Sequence, residues 1–402
     1  MLNPRLPERP GRILVVRADK IGDHVLAAGM LPRLKERFPA ARITVACPDL
    51  VQDLFAACPW VDRVIPFDKR RLHRNPLYRL GLALTLRRLR ADLVLNTVYS
   101  RDSASDLLCR MAGGVRVGHQ GDGHNLRPER RRRNDRIYSY LVPPLAGTAT
   151  ELERNGHFLR NLGLPGGLPG ELAPTAWVAP ADRTAAAELL ARHGLDTLPC
   201  LAFFPGTGDP IRFYDGYPEV LGAFLGRVRA GLVCLGGPGD RAWAEALLAG
   251  LPGPKANLCG VTRLPQAAAV LERCRLGFGA ETGLAHLAAA VGTPHLVLLG
   301  GGYFGRFMPT SPLTRAICLP LACYGCAWAC PYPRPHCVRD LPPGAVLEAL
   351  ARTWEEPAGG PTLFHCAWDG TGPRAVDPAA TGLGGVHWVA LDGAGSPGET
   401  LP

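Results

Sequence analysis

The stretch GFGAETGLAHLAAAVGTP (277–294) runs from an apolar segment, through an acid, a hydroxyl and a glycine, into a run with helical spacing. LGFGA reads as a buried strand ending at Ala280, with a helix beginning near Gly283. A carboxylate buried at such a junction is costly unless something pairs with it, so Glu281 needs an explanation. A helix start offers free backbone N–H groups and the positive end of the helix dipole, which together favour an anion. Thr282 is placed to cap that helix or to donate to a phosphate. Gly283 lets a ligand approach the backbone, and His286 lies one helical turn on. Read alone, the same residues also describe an ordinary N-cap acid beside a core histidine.

The flanking sequence repeats this strand-then-helix pattern. PHLVLLGG follows as a strand, and CLAFFPG and GLVCLGG precede as strands separated by the helical runs PEVLGAFLGRVRA, DRAWAEALLAGL and LPQAAAVLERC. In the N-terminal half RILVVRA, RITVACP, VDRVIPFD and ADLVLNTVYS read as strands. HVLAAGMLPRLKERFP, VQDLFAACP and LYRLGLALTLRRLR lie between them as helices. Alternation at this pace predicts βαβ units and parallel sheets. A chain of 402 residues is too long for one ordinary core and suits two domains. The Pro- and Gly-rich NLGLPGGLPGELAPTAWVAP (161–180) is where a linker is expected. The reading is therefore an α/β protein with domains at 1–165 and 181–356, a linker at 166–180 and a tail at 357–402. The tail is dense in Gly, Pro, Ala and Thr and is expected to be flexible or loosely docked, with no role assigned.

In open parallel sheets ligands sit outside the carboxyl ends of the strands, so strand-end loops are where chemistry belongs. In FFPGTGDPIRFYDGYP (203–218) a small-residue loop carries Thr207 and Gly208, with Arg212 shortly after. Such loops cradle phosphate, and a guanidinium binds it in bidentate fashion. LGGPGDR (235–241) adds Asp240. With the Glu281–His286 junction these loops form one rim, whose natural occupant is a nucleotide diphosphate. The corresponding loop of the N-terminal half, VVRADKIGDHVLAAG (15–29), sets Asp23 at the start of the first helix. There it is either a base for a hydroxyl or an acid satisfying the helix dipole. Asp19 is a rival base in the same loop.

RILVVRADKIGDHVLAAGMLPRLKERFPAARITV, PGTGDPIRFY, LGGPGDR and AETGLAHLAAAVGTPHLVLLGG together resemble glycosyltransferase family 9, in the same order over roughly residues 11–350. The best-known members of that family are ADP-heptose:lipopolysaccharide heptosyltransferases. The resemblance implies GT-B architecture, two Rossmann-like doubly wound domains facing across a cleft. The acceptor is then on the N-terminal domain and the nucleotide sugar on the C-terminal one. It also implies inverting transfer with no cofactor or metal in catalysis. By position, Asp23 matches the family's catalytic base, and Thr207 and Gly208 match residues lining the diphosphate. Arg212 stands where the family usually has lysine, so the charge is kept and the geometry differs. Glu281, Thr282, Gly283 and His286 match an Asp-Thr-Gly-x-x-His set around the nucleotide, with the acid lengthened by one methylene. Thr262 and Asp240 match loosely. The competing readings are a nucleotide-sugar-binding or nucleic-acid-binding protein without catalysis, and a GT-B-fold sugar-nucleotide epimerase, which needs a further acid–base set.

The net charge of +10 is unevenly placed: residues 1–165 hold 29 Lys+Arg against 16 Asp+Glu, and the remainder 16 against 19. KRRLHR (69–74), with Arg70 and Arg71, and RPERRRRNDR (127–136), with Arg130, Arg131, Arg132 and Arg133, are the strongest basic runs. No nucleic-acid module accompanies them. A phosphorylated glycolipid acceptor at the cytosolic membrane face is the expected partner of that half, against the alternative of solvated loops. No apolar run reaches the ~18 residues that signal a membrane span. The N-terminus lacks the layout of a signal peptide, so a cytoplasmic protein, peripheral at the inner membrane, is expected.

Thirteen cysteines in such a chain do not indicate a disulfide frame. Four of them cluster in CYGCAWACPYPRPHC as Cys323, Cys326, Cys330 and Cys337. That spacing leads to the expectation of a structural zinc or iron site, with His336 as a substitute ligand, over reduced thiols in a loop or redox-labile disulfides.

Overall fold

The fold is taken from a computed structural model, which describes residues 6–145, 149–164, 170–206, 208, 210–308, 311–357, 360–367, 374–378 and 386–391. The chain divides into two compact units, Met1–Trp177 and Val178–Pro402.

The first unit is built on six parallel strands: β1 (Arg12–Val16), β2 (Arg42–Pro48), β3 (Arg63–Phe67), β4 (Leu93–Asn96), β5 (Val115–His119) and β6 (Tyr140–Val142). Their order is β3-β2-β1-β4-β5-β6. The apolar runs of β1, β2 and β4 are buried almost throughout, as a parallel sheet covered on both faces requires. The connections carry α1 (Ile21–Ala28), α2 (Met30–Arg37), α3 (Lys69–Arg74), α4 (Pro76–Arg88), α5 (Ser103–Ala112), α6 (Pro128–Asp135) and α7 (Glu151–Asn161). The run expected as one helix after β1 is split into α1 and α2 at Gly29. Pro32 has no N–H for the carbonyl of Ala28, so a continuous helix would lose that bond. The arginine-dense run at 127–136 contains α6, begun by Pro128 in its first turn and continued by arginines, which are good helix formers.

The second unit has eight parallel strands: β7 (Cys200–Phe204), β8 (Gly231–Cys234), β9 (Lys255–Asn257), β10 (Leu276–Ala280), β11 (His295–Leu298), β12 (Thr314–Cys318), β13 (Thr362–Cys366) and β14 (His387–Leu391). Their order is β14-β13-β12-β11-β10-β7-β8-β9. The helices are α8 (Pro180–Arg192), α9 (Tyr217–Leu225), α10 (Arg241–Ala249), α11 (Leu264–Glu272), α12 (Gly283–Ala290), α13 (His336–Arg339) and α14 (Pro343–Glu355). Phe203 and Phe278 on the central strands meet Tyr217, with ring centroids 4.9 and 5.8 Å away, and anchor α9 to the sheet. The tail differs from expectation. β13 pairs in parallel with β12, and β14 with β13, so two pieces of the Gly/Pro-rich segment are sheet strands. Thr362, Leu363, Phe364 and Cys366 are buried there, which supplies the apolar burial that the segment's average composition conceals.

Both sheets share one topology. In each, the first strand is followed outward by the next two on one side, and the fourth begins a run on the other. The order therefore reverses between β1 and β4, and between β7 and β10. Crevices outside the carboxyl ends of strands at such reversals are where α/β sheets bind ligands. Among the described residues, no helix is long and apolar enough to cross a membrane.

Candidate active site

In the first unit the reversal point is filled by ions. Arg17 follows β1 and is 2% exposed. Its Nε donates to Asp19 Oδ1 at 2.9 Å and its Nη1 to the Thr97 carbonyl, beyond β4, at 2.9 Å. Nη2 lies 2.8 Å from Asp19 Oδ2, 3.1 Å from Glu151 Oε1 on α7 and 3.9 Å from Asp23 Oδ1. Asp23 Oδ2 accepts from the Lys20 backbone N–H at 3.2 Å, closing the first turn of α1.

One guanidinium among three carboxylates sets the local proton balance. Burial alone would lower the Arg17 pKa, but Asp19, Glu151 and Asp23 together raise it. Burial pushes Asp19 up to about 6 against the pull of Arg17, with Glu151 adding to the rise. Burial, then the nearby Arg17 charge, lowers His24 to about 4, so its ring is neutral near pH 7. The His24 Nδ1–H donates to the Lys20 carbonyl at 2.9 Å. Of the two rival acids, Asp19 is the one clamped by two guanidinium nitrogens, while Asp23 meets Arg17 at longer range.

In the second unit the loops after β7 and β10 lie side by side. Gly206 has φ +67°, and a Cβ there would stand 2.7 Å from Ala280 Cβ and 3.1 Å from Thr282 Cγ2, so only glycine fits. Thr207 lies outside the described residues. Gly208 is exposed in the turn beyond it. Arg212 Nη1 donates to the Glu281 carbonyl at 2.9 Å, tying the two loops together. Glu281 and His286 are buried, and α12 begins at Gly283 with Thr282 at its N-cap in extended conformation. The Thr282 hydroxyl makes no capping bond and, among the described residues, is a buried oxygen without a hydrogen-bond partner. With the first-turn N–H groups of α12 it offers donors to an anion.

Two expected rim residues are placed less directly. Asp240 folds back so that its Oδ2 accepts from Gly237 N at 2.8 Å, an exposed turn-closing bond after β8. Thr262 is half-buried before α11, beyond β9, two strands from β7. The basic run of α6 separates by direction. Arg131 donates to the Gln120 and Gly121 carbonyls, and Arg132 lies 3.6 Å from Glu129. Arg130 and Arg133 line a cavity of about 230 Å³ with Arg79 and Arg110. Arg71 stacks 4.5 Å over Tyr78, and Arg70 is exposed.

The metal site expected at the cysteine cluster is not supported. Cys323, Cys326, Cys330 and Cys337 are all free, and among the described residues no three His, Cys, Asp or Glu side chains gather to hold a metal ion. Cys337 accepts from the Gly301 N–H at 3.4 Å, and burial holds its thiol near 11. Cys330 Sγ is directed at the Arg334 carbonyl, 3.7 Å away, and His336 Nδ1 donates to Asp340 Oδ2 at 2.6 Å. What the segment does deliver is Trp328. Its ring lies 4.5 Å from the Arg212 guanidinium and fills the space where side chains at Gly300 and Gly302 would stand. Trp328 itself has φ +64°, a conformation unusual for a bulky side chain.

Sequence reasoning missed Arg17, Glu151 and Trp328. Arg17 sat in the quoted loop, and a cation beside Asp19 and Asp23 was the available signal. Nothing local marked Glu151 or Trp328.

With this geometry in view, residues 79–330 match the family model described as Glycosyltransferase family 9 (heptosyltransferase). The chain belongs to that glycosyltransferase family. It is 27% identical over 314 residues to lipooligosaccharide heptosyltransferase 2 of Haemophilus ducreyi, covering 75% of this chain and 84% of that protein. Among solved structures it resembles E. coli ADP-heptose lps heptosyltransferase II, at TM-score 0.64 and 22% identity, over 86% of this chain and 99% of the other. It also resembles an E. coli heptosyltransferase solved with ADP-2-deoxy-2-fluoro heptose, at TM-score 0.57 and 18% identity, over 76% and 92%. The fold is thus the pair of Rossmann-type units of GT-B, and the glycosyltransferase site is sought at the two reversal points.

Proposed function

We propose that this glycosyltransferase moves heptose from ADP-heptose to a hydroxyl of an anionic, lipopolysaccharide-core-type glycolipid at the cytosolic membrane face, with inversion and without a catalytic metal. The observation that carries the reading is the placement of the acid and the anion donors, each at the reversal point of its own sheet. Asp23 takes the proton from the acceptor hydroxyl as its oxygen attacks the anomeric carbon. The bond to the diphosphate oxygen breaks, and ADP leaves. Arg212, the Thr282 hydroxyl and the N–H groups at Gly283 stabilise charge as it builds on the leaving diphosphate. Thr207, outside the described residues, and Gly208 are assigned to the diphosphate by their match to the family pattern, His286 and Glu281 flank the nucleotide, and Asp240 and Thr262 belong to its outer margin. ADP-heptose as donor is supported by the heptosyltransferase family model and by the ADP-sugar bound in the related E. coli enzyme. The basic excess of residues 1–165, including Arg70, Arg71 and Arg130–Arg133, supports an anionic acceptor on the first unit.

The test is Asp23→Asn. Transfer from ADP-heptose should fall by roughly 10²–10⁴-fold, the usual worth of a general base, while ADP still raises the melting temperature as it does for the parent protein. Turnover within tenfold of the parent would remove Asp23 from the role. Retained ADP binding with no transfer by the parent protein to any glycolipid would favour a binding protein without catalysis.

A further inference from the structure

α4 carries an unusual outer face. Leu77 is 80% exposed, Leu80 58% and Leu84 46%, three of the largest apolar exposures among the described residues. Positions 77, 80, 84 and 88 recur at helical spacing, so these leucines and exposed Arg88 lie along one line of the helix. The opposite face buries Leu82 and Leu86 against the sheet, so the exposed leucines are surplus to the core. Arg88 also lines a cavity of about 520 Å³ shared with Arg12, Arg42, Arg63 and Arg90 at the amino ends of the strands. Its acid, Asp62, accepts from the Ile43 N–H and lies 3.9 Å from Lys35. An apolar stripe therefore runs directly into a basin of guanidinium groups.

We propose that α4 docks the first unit on an anionic lipid surface, with Leu77, Leu80 and Leu84 entering the headgroup boundary and the arginine basin facing lipid phosphates. A helix lying in a membrane interface needs both features, apolar side chains on one line and cations beside them. Three leucines fall far short of the ~800 Å² per partner that a standard protein interface buries, so a stable dimer is the weaker fit. The inference rests on the membrane-glycolipid reading for its purpose, but its test needs neither donor nor acceptor.

The full chain is mixed with vesicles of phosphatidylglycerol and phosphatidylethanolamine, or of phosphatidylcholine alone, and the bound fraction is measured by flotation. Binding to the anionic vesicles should exceed binding to phosphatidylcholine and weaken with salt. The triple variant Leu77→Ser/Leu80→Ser/Leu84→Ser should reduce it at least about tenfold. Arg63→Ser/Arg88→Ser should cost roughly fivefold for each charge. Leu50→Ser, which removes a leucine 68% exposed elsewhere on the unit, should change nothing. Leu80→Phe, which keeps the apolar face, should bind as well as the parent and guards against a folding artefact. Equal binding by the triple variant overturns the proposal. So does a triple variant that turns a dimer into a monomer by light scattering while vesicle binding holds. Transfer to a water-soluble, delipidated acceptor should be unaffected by the triple variant, which separates failure of docking from failure of the transferase reading.

Discussion

At the end of β1 the chain packs one guanidinium among Asp19, Asp23 and Glu151, whereas at the ends of β7 and β10 it presents a glycine turn, a helix start and Arg212. The first arrangement is buried charge and the second is mostly oriented backbone. Moving a proton requires a carboxylate whose ionisation is fixed by its neighbours. Holding a diphosphate requires donors that point outward and do not saturate one another. The two sites should therefore fail in different ways: damage to the first should cost the fold, and damage to the second should cost the ligand.

Arg17→Met is the strongest way to break that contrast. It leaves buried Glu151 and half-buried Asp19 without their cation, a loss typically of about 3–5 kcal/mol, read by denaturant titration. A loss under ~1 kcal/mol would show that the ionic cluster is not structural. Arg212→Ala should leave stability within about 1 kcal/mol but weaken ADP binding by tenfold or more, since a hydrogen bond to a charged group is worth ~1.5–3 kcal/mol. Calorimetry separates the two effects, and Arg212→Lys should recover only part of the affinity because the fork geometry is lost. Trp328→Leu removes the stacking beneath Arg212, worth about 0.5–2 kcal/mol, together with packing against Gly300 and Gly302, and keeps the guanidinium itself, so its effect on ADP affinity should be smaller than that of Arg212→Ala. If Trp328→Leu proves the more damaging, Trp328 touches the ligand itself.

The effect expected to be smallest at neutral pH concerns a buried ring near the first site. His119 lies between Tyr99 and Phe158, with centroids 5.3 and 4.6 Å away, and among the described residues neither ring nitrogen has a partner. Burial lowers His119 to about 3, and it lowers His295 to about 4. The unfolded chain binds more protons than the fold between those values and about 6.5, so stability rises with pH across that window. Asp19, raised to about 6, opposes part of the rise. His119→Phe should flatten the dependence of melting temperature on pH between about 4 and 6.5 and leave it nearly unchanged at pH 8. An unaltered slope would mean that His119 is not the proton acceptor on unfolding.

Much of this was legible along the chain. The strands that became β1, β2, β3, β4, β7, β8, β10 and β11 are short, mainly apolar runs set between helical segments, and the loops after β1, β7 and β10 carry their polar residues at strand ends. What was not legible depends on distance in sequence or on short, mixed elements. The three-residue strands β6 and β9 are too brief for any period to register. β13 and β14 sit inside a segment whose glycine and proline dominate its average. The Arg17–Glu151 pair joins residues 134 positions apart, which no local pattern can announce. The cysteine spacing gives the order of candidate ligands along the chain, and spacing alone does not say whether their sulfur atoms reach a common ion.

The placing of β13 and β14 bears on how the protein should be handled. A version cut before Thr362 in the belief that the tail is dispensable would strip β12 of its outer partner. Its five buried residues, Thr314–Cys318, would then form a naked sheet margin ready to recruit a neighbouring chain. Such a shortened protein should precipitate on expression even though every residue proposed for transfer is intact.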